Sequence, residues 1–113
     1  MGYSAKQGDI VWINLNPKVG HEQAGRRPAV VVTNDYTHGL INKRAMLCPV
    51  TNRNKGFPFQ PSLDNRTQTQ GVILCDQTRI VDVDARNAVY IERLPDDILD
   101  EVIDIIYGMI ERV

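Results

Sequence analysis

Short apolar runs separated by turn-forming residues fill most of the chain, and a single helical pattern follows them near its end. The runs have the length and the β-branched and aromatic content of strands. They predict strands at 9–15, 27–34, 45–51, 71–77 and 88–94, a weak edge strand at 59–63, and a short helical turn at 84–86. The polar segments 16–27, 35–44, 52–58 and 64–70 are expected to be loops.

The last segment has helical spacing. Pro95 suits the first turn of a helix, and acidic residues follow it at the positive end of the helix dipole. The apolar stripe consists of Ile98, Val102, Ile105, Ile106 and Met109. Strands followed by one terminal helix predict a mainly β, single-domain fold over 1–113, a strongly bent antiparallel sheet or barrel with the helix packed on it. The expected core is Ile10, Trp12, Val30, Val32, Leu47, Ile73, Ile98, Val102 and Ile105.

The net charge of −1 hides an uneven distribution. Residues 95–113 hold six acidic residues and one arginine, whereas the first 94 residues hold eight acidic and twelve basic residues. The body of the chain is therefore basic and its terminal helix acidic. Because binding depends on local fields, this arrangement is compatible with a polyanionic partner.

Several classes of protein are disfavoured by the sequence. No stretch has the length of a membrane span, and the first residues do not resemble a signal peptide, so a soluble, cytoplasmic protein is expected. Cys48 and Cys75 lie in apolar runs and are expected to be buried free thiols. His21 and His38 have no metal-binding spacing with each other or with the cysteines, and glycine-rich phosphate loops are absent, so neither a metal nor a cofactor is expected.

Two polar segments carry candidate chemistry. In residues 20–27, two arginines and a glutamate stand among glycines just before the most apolar run, and arginines of this kind bind phosphate. After the third predicted strand, Thr51 is followed by Arg53 and Lys55, a hydroxyl and two cations. From composition alone, the first segment could also be a surface loop with an ion pair, and the second could be an ordinary turn.

Five segments together form a more specific pattern. They resemble the MazF/PemK family of toxin endoribonucleases, and the resemblance extends over nearly the whole chain. The matching segments are GDIVWINLNP (8–17), GHEQAGRRP (20–28) as G-x-EQ-x-G-x-RP, CPVT (48–51), KGFPF (55–59) and GVILCDQ (71–77).

This resemblance implies a fold and a function. The fold would be an SH3-like small barrel of the PemK/CcdB type with a C-terminal helix packed on it. The protein would be a homodimeric toxin that cleaves single-stranded mRNA at short sequences without metal, leaving 2′,3′-cyclic phosphate and 5′-hydroxyl ends, and so inhibits translation and growth. A cognate MazE-like antitoxin would block the site with an acidic, disordered tail.

The resemblance also assigns residues. The arginine of the RP element and the threonine after the third strand correspond to Arg27 and Thr51, and Glu22 is the third expected catalytic residue. Arg26 stands where some members have histidine. Substrate-binding residues are expected at Lys18, Gln23, Arg26, Arg53, Lys55, Phe57 and Gln77. The RNA sequence recognised is not encoded in any of these motifs.

The expected reaction is attack of the substrate's own 2′-hydroxyl on the adjacent phosphorus. Arg27 and Thr51 would stabilise the developing charge on the phosphoryl oxygens. The general base stays open at this stage: arginine holds its proton beyond about pH 12, Glu22 is chemically easier, and His21 is a weaker candidate.

Two other classes of function are compatible with the same fold. One is a CcdB-like gyrase poison, which has no need of Arg27 and Thr51. The other is a non-catalytic SH3-like module that binds RNA or protein. Of the three hypotheses, only that of an enzyme predicts RNA cleavage that depends on Arg27 and Thr51.

Overall fold

A bent antiparallel sheet and two helices make up the protein. The computed structural model describes residues 3–17, 19–53, 56 and 58–113. The strands are β1 (Asp9–Asn14), β2 (Arg26–Val31), β3 (Arg44–Thr51), β4 (Val72–Ile73), β5 (Arg79–Asp82) and β6 (Val89–Arg93), and the helices are α1 (Asp35–Ile41) and α2 (Asp96–Ile110). The order across the sheet is β4-β3-β2-β1-β6, and β5 pairs with β3. The predicted combination of a small β-barrel-like sheet and a terminal helix is confirmed.

Several local predictions were wrong. Segment 35–44 contains α1, because the side chain of Asn34 accepts a hydrogen bond from the N–H of Thr37 and caps the helix. The predicted strand 71–77 pairs only over Val72–Ile73 and then turns into a 3-10 helix, Cys75–Gln77. Residues 79–82 form the unpredicted strand β5, and 59–63 contribute only a bridge from Ser62 to Val72. The strand pairings that decide the cases of 59–63, 71–77 and 79–82 join distant parts of the chain.

The sheet is buried on both faces. One cluster packs under α2 and includes Ile10, Val30, Cys48, Val50, Ile98 and Val102. The other lies on the opposite face and includes Val11, Ile13, Ala29, Val31, Leu47 and Val81. Alternate residues of β2 thus enter different clusters, which confirms that this apolar run is a central strand buried on both sides.

The expected core residue Trp12 lies outside both clusters. Its side chain is 41% exposed, although it shares a face of β1 with the fully buried Ile10. The cluster under α2 ends before it reaches Trp12, which pairs instead with Pro28 on one side and Val89 on the other. Period-2 alternation correctly assigned the face of Trp12, but the buried cluster on that face does not reach this residue.

Helix α2 packs through most of the predicted stripe, but Met109 at its far end is 40% exposed. Ile98, Leu99 and Val102 are buried, and Ile105 and Ile106 are partly buried against the same cluster. Tyr107 and Ile110, near the end of the helix, are exposed. Among the described residues, neither helix has the length and apolar character needed to cross a bilayer.

Cys48 and Cys75 are buried free thiols, as predicted, although Cys75 lies in the 3-10 turn and not in a strand. The Cys48 sulfur lies 3.1 Å from the Thr78 hydroxyl. A hydrogen bond from the Cys75 thiol is the main cause that lowers the pKa of Cys48, and the same contact, with burial, raises that of Cys75.

We expect both thiols to resist modification in the folded protein, since each is fully buried. A maleimide reagent should label neither cysteine of the native chain within minutes and should label both in denaturant, as counted by intact mass. Fast labelling of the native protein would contradict the packing described here.

Candidate active site

Strand register brings Arg27 and Thr51 together. Ala29 of β2 pairs with Pro49 of β3, and the strands are antiparallel. The pairing of the two strands ends at Ala29 and Pro49, and Arg27 and Thr51 lie two residues beyond it, on the same faces of their strands as Ala29 and Pro49. Both side chains line one cleft of about 540 Å³ at the end of the two strands. The two residues lie 24 positions apart in sequence, and only the β2–β3 pairing makes them neighbours.

The rest of the cleft lining comes from other parts of the chain. The loop before β2 forms one side of the cleft, and the 3-10 turn after β4 forms the other side. The full lining is His21, Glu22, Gln23, Ala24, Arg27, Thr51, Arg53, Gln60, Leu74, Asp76 and Gln77. The site is therefore built at one end of a rigid sheet and closed by two turns.

Local hydrogen bonds fix the two central side chains. The Arg27 Nε donates to the Ala24 carbonyl at 2.7 Å, which holds the guanidinium beside the loop and leaves its terminal amino groups for a ligand. The Thr51 hydroxyl oxygen accepts from the Arg53 N–H at 3.2 Å, so the hydroxyl hydrogen can be donated into the cleft. Thr51 is only 4% exposed, and its position is correspondingly well defined.

The loop side of the cleft is tied to the 3-10 turn. Gln77 Oε1 accepts from the Gln23 N–H at 2.7 Å, and Arg79 lies 3.8 Å from the Glu22 carboxylate. Gln77, expected to bind substrate, thus has a structural contact through its oxygen. Glu22 and Gln23 line the cleft, and so does the exposed Arg53.

Arg26 does not line the cleft that holds Thr51. Neighbouring residues of a strand point to opposite faces, and Arg26 donates to the Asn87 carbonyl at 3.2 Å. It lines a second cleft of about 590 Å³ with Trp12 and the loop residues Gln68, Thr69 and Gln70. Arg27 reaches both clefts. The candidates Lys18, Lys55 and Phe57 lie outside the described residues.

Sequence reasoning assigned no role to three residues of this region. Asp76 is exposed in the cleft and adds a carboxylate, Gln60 adds an amide, and Arg79 carries the ion pair to Glu22. Asp76 lies within the quoted GVILCDQ segment, so a signal for it was present. The described residues contain no cluster of three or more histidine, cysteine or acidic side chains arranged to bind a metal ion.

Known proteins are similar to this chain in sequence and in fold. A model of the family described as PemK-like, MazF-like toxin of type II toxin–antitoxin system matches residues 6–109. Endoribonuclease PemK of Escherichia coli is 36% identical over 104 residues, which cover 87% of this chain and 76% of that protein. The crystal structure of MazF (Form-I) from Deinococcus radiodurans superposes with a TM-score of 0.88 at 37% identity, over 95% of this chain and 96% of the other. The MazE–MazF crystal structure (Form-II) of that organism gives a TM-score of 0.82 with the same identity and coverage.

Fold and sequence together place the molecule in the class of toxin endoribonucleases. The chain belongs to the PemK-like, MazF-like toxin family of type II toxin–antitoxin systems.

Proposed function

We propose that this protein is the toxin of a toxin–antitoxin module and that its domain, residues 1–113, cleaves single-stranded mRNA at short sequences without a metal ion. The observation that carries the proposal is that Arg27 of β2 and Thr51 of β3 line one open cleft at the same end of the sheet. A guanidinium and a hydroxyl that converge from neighbouring strands suit a phosphodiester group.

The proposed reaction uses a nucleophile that belongs to the RNA. The 2′-hydroxyl attacks the adjacent phosphorus, the P–O5′ bond breaks, and a 2′,3′-cyclic phosphate and a 5′-hydroxyl end are formed. Arg27 donates hydrogen bonds to the non-bridging oxygens and neutralises the charge that develops there, and Thr51 donates its hydroxyl hydrogen to the same group. DNA lacks the 2′-hydroxyl and is therefore expected to bind without being cleaved.

Proton transfer requires a base near the 2′-hydroxyl and an acid near the 5′-oxygen. The cleft offers Glu22, Asp76 and His21 for these roles. The proton removed from the 2′-oxygen passes to one of them, and another protonates the leaving 5′-oxygen. Glu22, whose carboxylate lies 3.8 Å from Arg79, is a chemically easier base than arginine, and His21 is a weaker candidate.

Selectivity for unpaired RNA follows from the shape of the site. Bases of a single strand are free to turn their edges toward side chains, and Gln23, Gln60 and Arg53 place amide and guanidinium groups along the cleft. Lys18, Lys55 and Phe57 are proposed to bind RNA through electrostatic and stacking contacts, and Arg26 is proposed to bind the RNA backbone beyond the cleft.

We propose two protein partners, in the cytoplasm where mRNA is translated. A homodimer is supported by the exposed apolar side chains of Trp12, Val89 and Tyr90 near the free edge of the sheet at β6. An antitoxin of the MazE kind is supported by the MazE–MazF complex of similar structure. Its acidic segment would compete with RNA for the arginines of the cleft.

The test is cleavage of a long single-stranded RNA of mixed sequence by the purified protein in EDTA, with the fragment ends mapped and the mass of the same preparation measured by light scattering. We expect discrete fragments that carry cyclic-phosphate and 5′-hydroxyl ends, from a protein with the mass of a dimer. The deoxy version of the same sequence is the control and should stay intact. Intact RNA after incubation with a folded dimer would favour a non-catalytic binding module, or a gyrase poison if DNA gyrase is inhibited instead.

A further inference from the structure

Residues 64–70 form a loop that leads directly to the proposed catalytic threonine. At its end, Gly71 lies so close to β3 that a Cβ atom there would fall 2.1 Å from the carbonyl oxygen of Thr51. The next residue, Val72, is the strand partner of Thr51. The backbone at the end of this loop therefore supports Thr51 from one side.

The carboxylate of Glu92 holds the loop in place. One of its oxygens accepts from the N–H of Gln68 at 3.0 Å, and the other accepts from both the N–H and the hydroxyl of Thr69, each at 2.8 Å. Glu92 itself lies in β6 and is paired with Ile10 of β1. Three hydrogen bonds thus connect the loop to a strand on the far side of the sheet.

The ionised carboxylate is the form that makes these contacts. Partial burial would raise the pKa of Glu92, but the hydrogen bonds from Thr69 and Gln68 outweigh it and hold that pKa below its usual value. Hydrogen bonds to a charged acceptor are stronger than those between neutral groups. A second tether, from Arg66 to Asp64 and Asp97, lies at the exposed surface, where ion pairs contribute little.

We propose that Glu92 is a positioning residue for RNA cleavage, which orients the Thr51 hydroxyl by fixing the loop that ends at Gly71 and Val72. The inference rests on the proposed function, because it requires Thr51 to act on the phosphate. Glu92 does not line the cleft that holds Thr51. Its loss is therefore expected to change the rate of the bound complex more than the affinity for RNA.

The first test is the variant Glu92→Gln, which keeps the size of the side chain but replaces one accepting oxygen by an NH₂ group. We expect kcat to fall about tenfold or more, with KM changed by less than about twofold, at a temperature where circular dichroism shows the variant folded. The milder variant Thr69→Val removes only the hydroxyl bond and should lower kcat by a smaller factor. The control Glu111→Gln, at the exposed end of α2, should leave both parameters unchanged.

A double-mutant cycle separates positioning from general stabilisation. In a Thr51→Ala background, measured in single turnover with excess enzyme, adding Glu92→Gln should lower the rate by less than about twofold, because the group that Glu92 orients is gone. An equal factor in both backgrounds, an unchanged kcat of folded Glu92→Gln, or a raised KM with constant kcat would each overturn the inference. If Thr51→Ala alone cleaves at the normal rate, the proposed role of Thr51 fails and this inference fails with it.

Discussion

Replacing Arg27 with alanine is expected to lower RNA cleavage about a hundredfold to a thousandfold while the protein stays folded. The guanidinium lines the cleft together with Thr51, and Arg53, the other arginine of the lining, is exposed beyond the end of β3. The loss should appear mainly in kcat, since the charge on the phosphoryl oxygens grows toward the transition state. The measurement is single-turnover cleavage of a short fluorogenic RNA.

Arg44→Ala is a closely matched control. The Arg44 Nε donates to the carbonyl of the residue three positions earlier, as the Arg27 Nε does, but Arg44 stands at the opposite end of β3 from Thr51. It should retain the cleavage rate of the unchanged protein. If both variants lost activity to the same extent, general charge would explain the loss better than the geometry of the site. If Arg27→Ala stayed fully active, the proposed chemistry would be wrong.

Replacing Gly71 with alanine is expected to destabilise the protein by about 3 kcal/mol or more and to reduce cleavage in whatever folded fraction remains. The residue has a φ of +118°, which L-amino acids with a side chain rarely adopt. Its new methyl group would also meet the backbone of Thr51, which cannot move without separating β4 from β3. Chemical denaturation followed by circular dichroism measures the loss.

The matched control is Gly108→Ala in α2, where an added Cβ meets nothing within 4 Å. Alanine favours a helix over glycine, so this variant should be stabilised by about 0.5–1 kcal/mol. A Gly71→Ala protein as stable and active as the unchanged chain would contradict the close contact between the loop and β3. It would also remove the physical connection by which Glu92 is proposed to act on Thr51.

The sequence by itself determined the terminal helix, the doubly buried strand β2 and most strand positions. These elements depend on hydrophobic periodicity, which can be read from residues that are close in sequence. It also indicated Arg27, Thr51 and Glu22 as catalytic candidates through a family resemblance, because a motif is recognised from residue types and their spacing in the sequence. Their catalytic roles stay predictions until the variants are measured.

Tertiary structure decided what local patterns do not contain. Trp12 is exposed although alternation places it on the same face as the buried Ile10, and Arg27 lines the cleft that holds Thr51 whereas Arg26 does not. The shortness of β4 and the 3-10 turn after it place Asp76 in the cleft. The carboxylate of Glu92 reaches a loop 23 and 24 residues away. Such contacts depend on how the strands pair and how the helix packs, and both are determined by residues that are far apart in sequence.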